Sequence, residues 1–100
     1  MVMPIHKQVY MTEMGCAEDD SLFCETPKKV NPDCEYIAMD IHHVNFKSGG
    51  GEDVLINLVA LCRNCHDKAH GLRGGNKRMY FNIYKKYTKK RDELLRRVPL

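Results

Sequence analysis

A C-x-x-C pair at Cys62 and Cys65 constrains this chain more than any other feature, because the whole chain has only 100 residues. Two thiolates at that spacing can share one tetrahedral metal ion, usually zinc, from a tight turn. A chain of this length builds one modest core, and aromatic residues make up only 8% of it. Such small cores often need a metal or a disulfide as a staple. We therefore expect one domain, residues 1–100, organised around bound metal.

The other half of the zinc site must come from Cys16, Cys24 and Cys34. We choose Cys24 and Cys34, which predicts a four-thiolate structural zinc site with Cys62 and Cys65. Cys24 lies ten positions before Cys34, whereas paired ligands are usually separated by two to four residues. Cys16 is therefore the substitute if Cys24 is not a ligand. The competing interpretation of Cys62 and Cys65, a redox pair, usually belongs to a larger βαβ fold.

Four of the five histidines fall in two close pairs. His66 and His70 have i, i+4 spacing, so on a predicted helix they share a face and can bind one ion. His42 and His43 are neighbours on a predicted strand, so their side chains point to opposite sides. One of them can bind metal while the other accepts a proton from water. A C2H2 zinc finger is disfavoured, because its histidines follow the cysteines only after a span of about 12 residues.

Hydrophobic periodicity, glycines and prolines divide the chain into short elements. A long amphipathic C-terminal helix is expected to bury Tyr80, Ile83, Tyr84, Tyr87 and Leu94. The predicted elements are a helix at 4–15, a loop at 24–34, a strand at 35–44, a glycine turn at 48–53, an apolar stretch at 55–61, a helix at 63–70 and the long helix at about 77–97.

The net charge of +3 is concentrated at one end, with ten Lys or Arg from residue 73 onward against two acids. Residues 13–25 hold five acids and no base. This asymmetry suggests a polyanion partner, although a solvated helix face is an alternative. The residues expected to contact DNA phosphates are Arg63, Lys85, Lys86, Lys89, Lys90 and Arg97.

Neither a membrane-spanning segment nor a signal peptide is recognisable in the sequence. We therefore expect a cytoplasmic protein, in which disulfides are rare and the cysteines serve as metal ligands or free thiols.

Taken together, these motifs resemble the HNH endonucleases, most closely small bacteriophage HNH proteins and the zinc-stapled branch of the family. The resemblance covers about residues 24–71. It is carried by Asp40–Val44, Gly49–Gly51, Asn57–His66 and His70. It implies an α+β fold: a small ββα-metal (His-Me finger) core with a structural zinc site, flanked by an N-terminal helix and the long basic helix.

The same resemblance implies a role for each matching residue. His43 corresponds to the general base that activates water, and Asn57 to the residue that holds the base imidazole through a hydrogen bond. His42, His66 and His70 correspond to ligands of a catalytic divalent ion, and His66 is also the final histidine of the motif. Asp40 matches an acidic position that precedes the histidine pair.

The implied activity is metal-dependent hydrolysis of DNA phosphodiester bonds, with nicking and low sequence specificity. The implied cofactors are structural Zn²⁺ and a catalytic divalent cation, Mg²⁺, Mn²⁺, Ni²⁺ or Zn²⁺. The expected partners are DNA and, for a phage-encoded protein in the host cytoplasm, packaging proteins, with the chain a monomer or weak homodimer. The alternatives are a non-catalytic zinc-binding DNA-recognition module and a phage accessory protein that acts with a packaging or host partner.

Overall fold

The structure is a computed structural model that describes residues 3–17, 21–45 and 52–97. Its elements are helix α1 (Ile5–Glu13), strand β1 (Asp40–His43), a single 3₁₀ turn (Leu55–Asn57), strand β2 (Leu58–Leu61), helix α2 (Arg63–Ala69) and helix α3 (Lys77–Arg97). All three predicted helices are present. The expected glycine turn lies mostly outside the described residues, which resume at Glu52.

The two strands pair antiparallel, and their register decides which way the histidines point. His42 stands opposite Val59, and His43 stands opposite Leu58. Because side chains alternate along a strand, His42 shares a sheet face with Val59, and His43 shares the other face with Leu58. The prediction that the two imidazoles point to opposite sides is therefore confirmed.

The sheet is covered on both faces, which explains why all four residues of β2 are buried. On one face α1 packs against the sheet, where its buried residues Tyr10 and Met11 share an apolar cluster with Leu58. On the other face α2 and α3 pack against Val59 and Leu61. Each histidine of β1 therefore meets a different helical layer.

The first strand is shorter than expected, since β1 begins at Asp40 rather than at Glu35. Tyr36 has a φ of 67°, in the left-handed region, and this conformation interrupts an extended strand. The residues before β1 pair instead with the segment around Phe23, which forms an isolated antiparallel bridge with Ile37. This pairing brings Cys24 alongside the sheet, where its backbone N–H donates to the Tyr36 carbonyl.

Two glycines allow the chain to turn sharply from α2 into α3. Gly71 has a φ of 84°, and its N–H donates to the Lys68 carbonyl in a left-handed helix termination. A Cβ on Gly75 would collide with the backbone of Lys68, so only glycine permits the chain to pass this close to α2.

Helix α3 is joined to the sheet by a buried ion pair as well as by apolar contacts. The Nη1 atom of Arg91 donates to both carboxylate oxygens of Glu25, at 2.8 and 2.9 Å. Its Nη2 atom donates to the backbone carbonyls of Leu55 and Leu58. Leu94, which was expected to be buried, is 54% exposed, so that prediction was wrong. Arg91 lies three residues earlier, on the buried face of the helix, and is only 7% exposed.

The predicted fold class is confirmed as α+β, with two antiparallel strands and three helices. Four cysteines cluster with the spacing of a possible zinc site, which is consistent with a ββα-metal core. Within the described ranges, none of the helices combines the length and the apolar character needed to span a membrane.

Candidate metal centres and active-site cleft

The structure brings four of the five cysteines into one cluster. It consists of Cys24, Cys34, Cys62 and Cys65, with all four sulfurs within 4.8 Å of one another. The Sγ atoms of Cys34 and Cys62 lie 4.0 Å apart. Zinc–thiolate bonds of about 2.3 Å place sulfurs about 3.8 Å apart around a tetrahedral ion. The cluster therefore fits zinc, and the ten-residue loop between Cys24 and Cys34 does not prevent it.

Cys16 lies outside this cluster, in the apolar layer between α1 and the sheet. Cys24 therefore completes the four-thiolate set, and Cys16 is not needed as the alternative ligand.

The surroundings of the cysteine cluster supply donors for sulfur. The backbone N–H groups of Cys65 and Glu35 donate to Sγ of Cys62, at 3.3 and 3.4 Å. The Nδ2 atom of Asn31, a residue only 1% exposed, donates to Sγ of Cys65 at 3.1 Å. Hydrogen bonds of this kind stabilise thiolates and orient them towards an ion. The loop at residues 24–34, called the proline loop because it contains Pro27 and Pro32, thus contributes Asn31 as well as two of the cysteines.

The Cys24 and Cys65 thiols interact closely enough to titrate together. Their mutual hydrogen bond is the main cause that lowers the pKa of Cys24, to about 4, and that raises the pKa of Cys65. The two sulfurs therefore lie close enough to serve as ligands of one cation, which binds cysteines in their deprotonated form.

The second cluster consists of three imidazoles, His42, His66 and His70. The Nε2 atoms of His66 and His70 lie 3.1 Å apart, and the His42 ring centroid lies 5.1 Å from each of their rings. Nitrogen ligands at about 2.0–2.1 Å from a tetrahedral ion lie about 3.3 Å apart. The spacing therefore fits a divalent ion held by three histidines with a coordination position left open.

The protonation and orientation of these imidazoles favour metal binding. Burial is the main cause that lowers the pKa of His42 to about 3, with His66 and His70 adding to it, so His42 is neutral at physiological pH. Burial also lowers the pKa of His70. The Oδ2 atom of Asp40 lies 3.1 Å from Nδ1 of His66, which leaves the Nε2 of His66 directed at His70. A carboxylate behind a histidine ligand commonly fixes the orientation of the ring towards the metal.

His43 lies on the opposite face of the sheet, beside α1. Its Nε2 atom is 2.6 Å from Oδ1 of Asp53, and its ring centroid is 4.8 Å from that of His6. These three residues form a third group with metal-binding spacing. The carboxylate that contacts His43 therefore comes from Asp53, just before the 3₁₀ turn.

Asn57 does not contact the His43 ring in the way the resemblance implies. Its amide nitrogen donates both hydrogens to backbone carbonyls, those of Asn45 and Glu52, each at 3.0 Å. Its side-chain oxygen accepts from the Asn45 N–H at 2.8 Å. No donor hydrogen is left for the imidazole, so Asn57 holds the backbone that follows β1 rather than the ring itself.

A cleft of about 430 Å³ opens between α1, β1 and α2. Its lining includes all five histidines of the chain together with Lys7 and Asp40. The imidazole of His43 and the three-imidazole cluster therefore face one shared space, although they belong to opposite faces of the sheet.

A second cleft, of about 490 Å³, adjoins His42 on the α3 side. It is lined by Lys77, Arg78 and Phe81 of the first turns of α3. The Nζ atom of Lys85 lies 5.7 Å from the centre of the Phe81 ring, so positive charge continues from this cleft along the helix.

The basic residues expected to contact DNA are all exposed where their side chains are described, namely Arg63, Lys85, Lys86, Lys89 and Lys90. Arg63 is 3.9 Å from Asp40 and therefore lies at the edge of the histidine cleft. Arg97 ends α3, and its side chain is outside the described part of the chain.

Sequence reasoning missed three residues that contact the site or support it, His6, Asp53 and Glu25. A signal existed for His6, because it precedes the apolar Tyr10 by four residues and therefore shares its helix face. Asp53 and Glu25 gave no local signal, since each finds its partner only after the chain has folded back on the sheet.

The fold and the two clusters define a metal-binding protein with a ββα-metal core. Residues 24–71 match the family model described as HNH endonuclease. No curated protein and no solved structure gives a significant match to the chain. The match supports nuclease-type chemistry and the use of divalent metals, and it implies DNA as the substrate.

Proposed function

We propose that this protein is a metal-dependent DNA endonuclease in which His43 is the general base and His42, His66 and His70 hold the catalytic ion. The single observation that carries the proposal is the shared cleft, which brings the base and the three imidazoles to the same space. His43 is only partly buried and can therefore be reached by water, which a general base requires. His42 is buried and neutral, as a metal ligand must be.

In this proposal His43 removes the proton from the attacking water. Asp53 can only accept a hydrogen bond when it is ionised, so the Nε2–H of His43 donates to it and the lone pair lies on Nδ1. Asp53 then stabilises the positive charge that the ring acquires. Asn57 contributes indirectly, by tying the backbone at Asn45 to the segment that carries Asp53.

The ion, when bound, stabilises the negative charge that develops on the phosphate and on the leaving oxygen. Among the chain's own residues, Asp40 orients His66 and therefore the ligand set. Burial around His42 keeps that imidazole unprotonated and available. The four cysteines are proposed to hold structural zinc, which connects the proline loop to the start of α2.

The basic face of α3 is proposed to bind the DNA backbone. Lys85, Lys86, Lys89 and Lys90 are exposed, and the neighbouring cleft at Lys77 and Arg78 leads from that face to His42. Contacts to phosphate carry no base information, so low sequence specificity is expected. One catalytic cluster per chain predicts a nick rather than a double-strand break from a monomer.

The test is a supercoiled-plasmid assay on wild-type protein and the His43→Ala variant, after chelation and then with Mg²⁺, Mn²⁺, Ni²⁺ or Zn²⁺ added singly. Thr12→Ala is the matched control, because Thr12 is exposed on α1. Open-circle product with 5′-phosphate ends, lost in His43→Ala and kept in Thr12→Ala, is the expected result. No cleavage by zinc-loaded, folded wild-type protein with any of these ions would reject the endonuclease.

A further inference from the structure

All five histidines of this chain belong to clusters with metal-binding spacing. Three of them, His42, His66 and His70, form the cluster proposed to hold the catalytic ion. The remaining two, His6 and His43, converge with Asp53 so that one ligand atom from each lies within 4.8 Å of the others. We propose that His6, His43 and Asp53 form a second divalent-metal site, and that a zinc ion bound there inhibits cleavage by occupying the base. The inhibitory part rests on the proposed function, whereas the metal site itself does not.

The ligand set has the composition of a transition-metal site. Two imidazoles and one carboxylate suit Zn²⁺, Ni²⁺, Co²⁺ or Mn²⁺ better than Mg²⁺ or Ca²⁺, which prefer oxygen ligands. The side chains of His43 and Asp53 are 17% and 19% exposed, so they are partly desolvated yet still accessible. His6 is half-buried and lines the cleft, which gives an ion a route from solvent.

The distances leave room for an ion after a small adjustment. Nitrogen and oxygen ligands at about 2.0–2.2 Å from an ion lie about 3 Å or more apart. The contact between His43 and Asp53 is 2.6 Å, the length of a short hydrogen bond. An ion entering between the two residues would therefore replace the shared proton and separate the two atoms by a few tenths of an ångström.

This site is distinct from the three-imidazole cluster. His42 and His43 are consecutive on β1 and project to opposite faces, so one ion cannot take both. His6 belongs to α1, which lies outside the segment matched by the family model, residues 24–71. The N-terminal helix thus adds a ligand that the family motif does not contain.

The consequence for activity follows from the chemistry of His43. A neutral imidazole has one lone pair and one N–H, so an ion bound to the Nε2 that faces Asp53 leaves the ring proton on Nδ1. No lone pair then remains on His43 to accept a proton from water. Activity should therefore rise with Zn²⁺ while the three-imidazole cluster fills, and fall at higher Zn²⁺. Magnesium, which binds imidazole poorly, should produce no such fall.

Metal stoichiometry tests the site without reference to cleavage. Wild-type protein with its cysteine cluster loaded is dialysed against a series of Zn²⁺ concentrations, and bound zinc per chain is measured by elemental analysis. His6→Ala and Asp53→Asn should each bind one fewer ion per chain at saturation, and Thr12→Ala should bind as many as wild type. Equal zinc content in wild type, His6→Ala and Asp53→Asn would overturn the site.

Inhibition is then measured as the ratio of nicking rates at high and at optimal Zn²⁺ within each variant, so a change in basal rate does not enter. The ratio should fall well below one for wild type and Thr12→Ala, and stay near one for His6→Ala. One fewer ion in His6→Ala with undiminished inhibition would overturn the inhibitory role. If wild type nicks no DNA, the proposed endonuclease fails, while the zinc content still decides whether the site exists.

Discussion

The Oδ2 atom of Asp40 lies 3.1 Å from Nδ1 of His66, and this contact directs the opposite nitrogen of the ring towards His70. Carboxylates in this position orient histidine ligands, and their removal typically weakens metal binding about 10–100-fold. We expect Asp40→Asn to weaken binding of a divalent ion at His42, His66 and His70 by about that factor. Calorimetric titration with Zn²⁺, on protein whose cysteine cluster is already loaded, measures the change.

Asp33→Asn is the control for Asp40→Asn, since Asp33 is 67% exposed and pairs with Lys68 away from the histidines. Its zinc isotherm should match wild type. An Asp40→Asn isotherm that superimposes on wild type would mean that Asp40 does not support the ligand set.

Asn57 is expected to act through the backbone. Asn57→Ala removes three hydrogen bonds to Asn45 and Glu52, and a hydrogen bond of this kind contributes about 0.5–1.5 kcal/mol to stability. The Asn45 amide should therefore exchange with deuterium faster, and nicking should decrease while the zinc content of the cysteine cluster stays constant. Unchanged exchange at Asn45 together with abolished nicking would favour a direct role at the substrate.

Removing one cysteine ligand should unfold the core. Cys24→Ser is expected to lose the structural zinc and the cooperative thermal transition, because structural zinc supplies about 10–16 kcal/mol of apparent free energy in small zinc domains. Cys16→Ser is the matched control, since Cys16 packs in the layer beneath α1. Zinc content and near-ultraviolet circular dichroism provide the measurements. Retention of stoichiometric zinc and of the fold by Cys24→Ser would contradict this assignment.

The buried ion pair between Arg91 and Glu25 should contribute strongly to stability. Arg91→Met leaves the Glu25 carboxylate buried without its cation, and breaking such a pair costs about 3–5 kcal/mol. Arg96→Met breaks a pair with Asp92 in which the Arg96 side chain is 80% exposed, and it should change the free energy of unfolding by about 0–1 kcal/mol. Urea denaturation of the zinc-loaded variants measures both. Equal midpoints for the two variants would contradict this prediction.

The basic residues of α3 should differ in their contribution to DNA binding. Lys85 and Lys89 lie one turn apart on the stripe that continues from Arg78, whereas Lys86 and Lys90 lie on a neighbouring stripe. Lys85→Gln/Lys89→Gln should therefore reduce the salt dependence of duplex binding more, by about 0.9 in slope for each phosphate that the variant no longer neutralises. Fluorescence anisotropy at several salt concentrations measures the affinity for duplex DNA and therefore this slope.

The double variant Lys86→Gln/Lys90→Gln is matched in charge and serves as the control. A larger decrease of the slope in this control would assign the DNA-binding face to the other stripe. Binding that barely changes with salt in wild type would reject phosphate contact by α3 altogether.

Local patterns were sufficient for the helices and for much of the site. The shared face of His66 and His70 follows from their i, i+4 spacing on α2 and its C-cap, which come just before Gly71. The opposite directions of His42 and His43 follow from the period of a strand. These relationships join residues that are close in sequence, so local patterns in the sequence are enough to predict them. The start of β1 was missed because the left-handed Tyr36 has no signature in composition.

The sequence by itself determined the inventory of metal-binding groups, the helices that carry them and the alternation that separates His42 from His43. The sequence predicted Cys24 as a ligand with Cys16 as its substitute, and the tertiary structure places Cys24 in the cysteine cluster. Only the tertiary structure decided that His6 and Asp53 meet His43. It also decided that Arg91 is buried on Glu25 instead of facing solvent. The physical reason is that each of these contacts joins residues far apart in sequence. Their distance depends on how α1, the proline loop and α3 pack against the two faces of one small sheet.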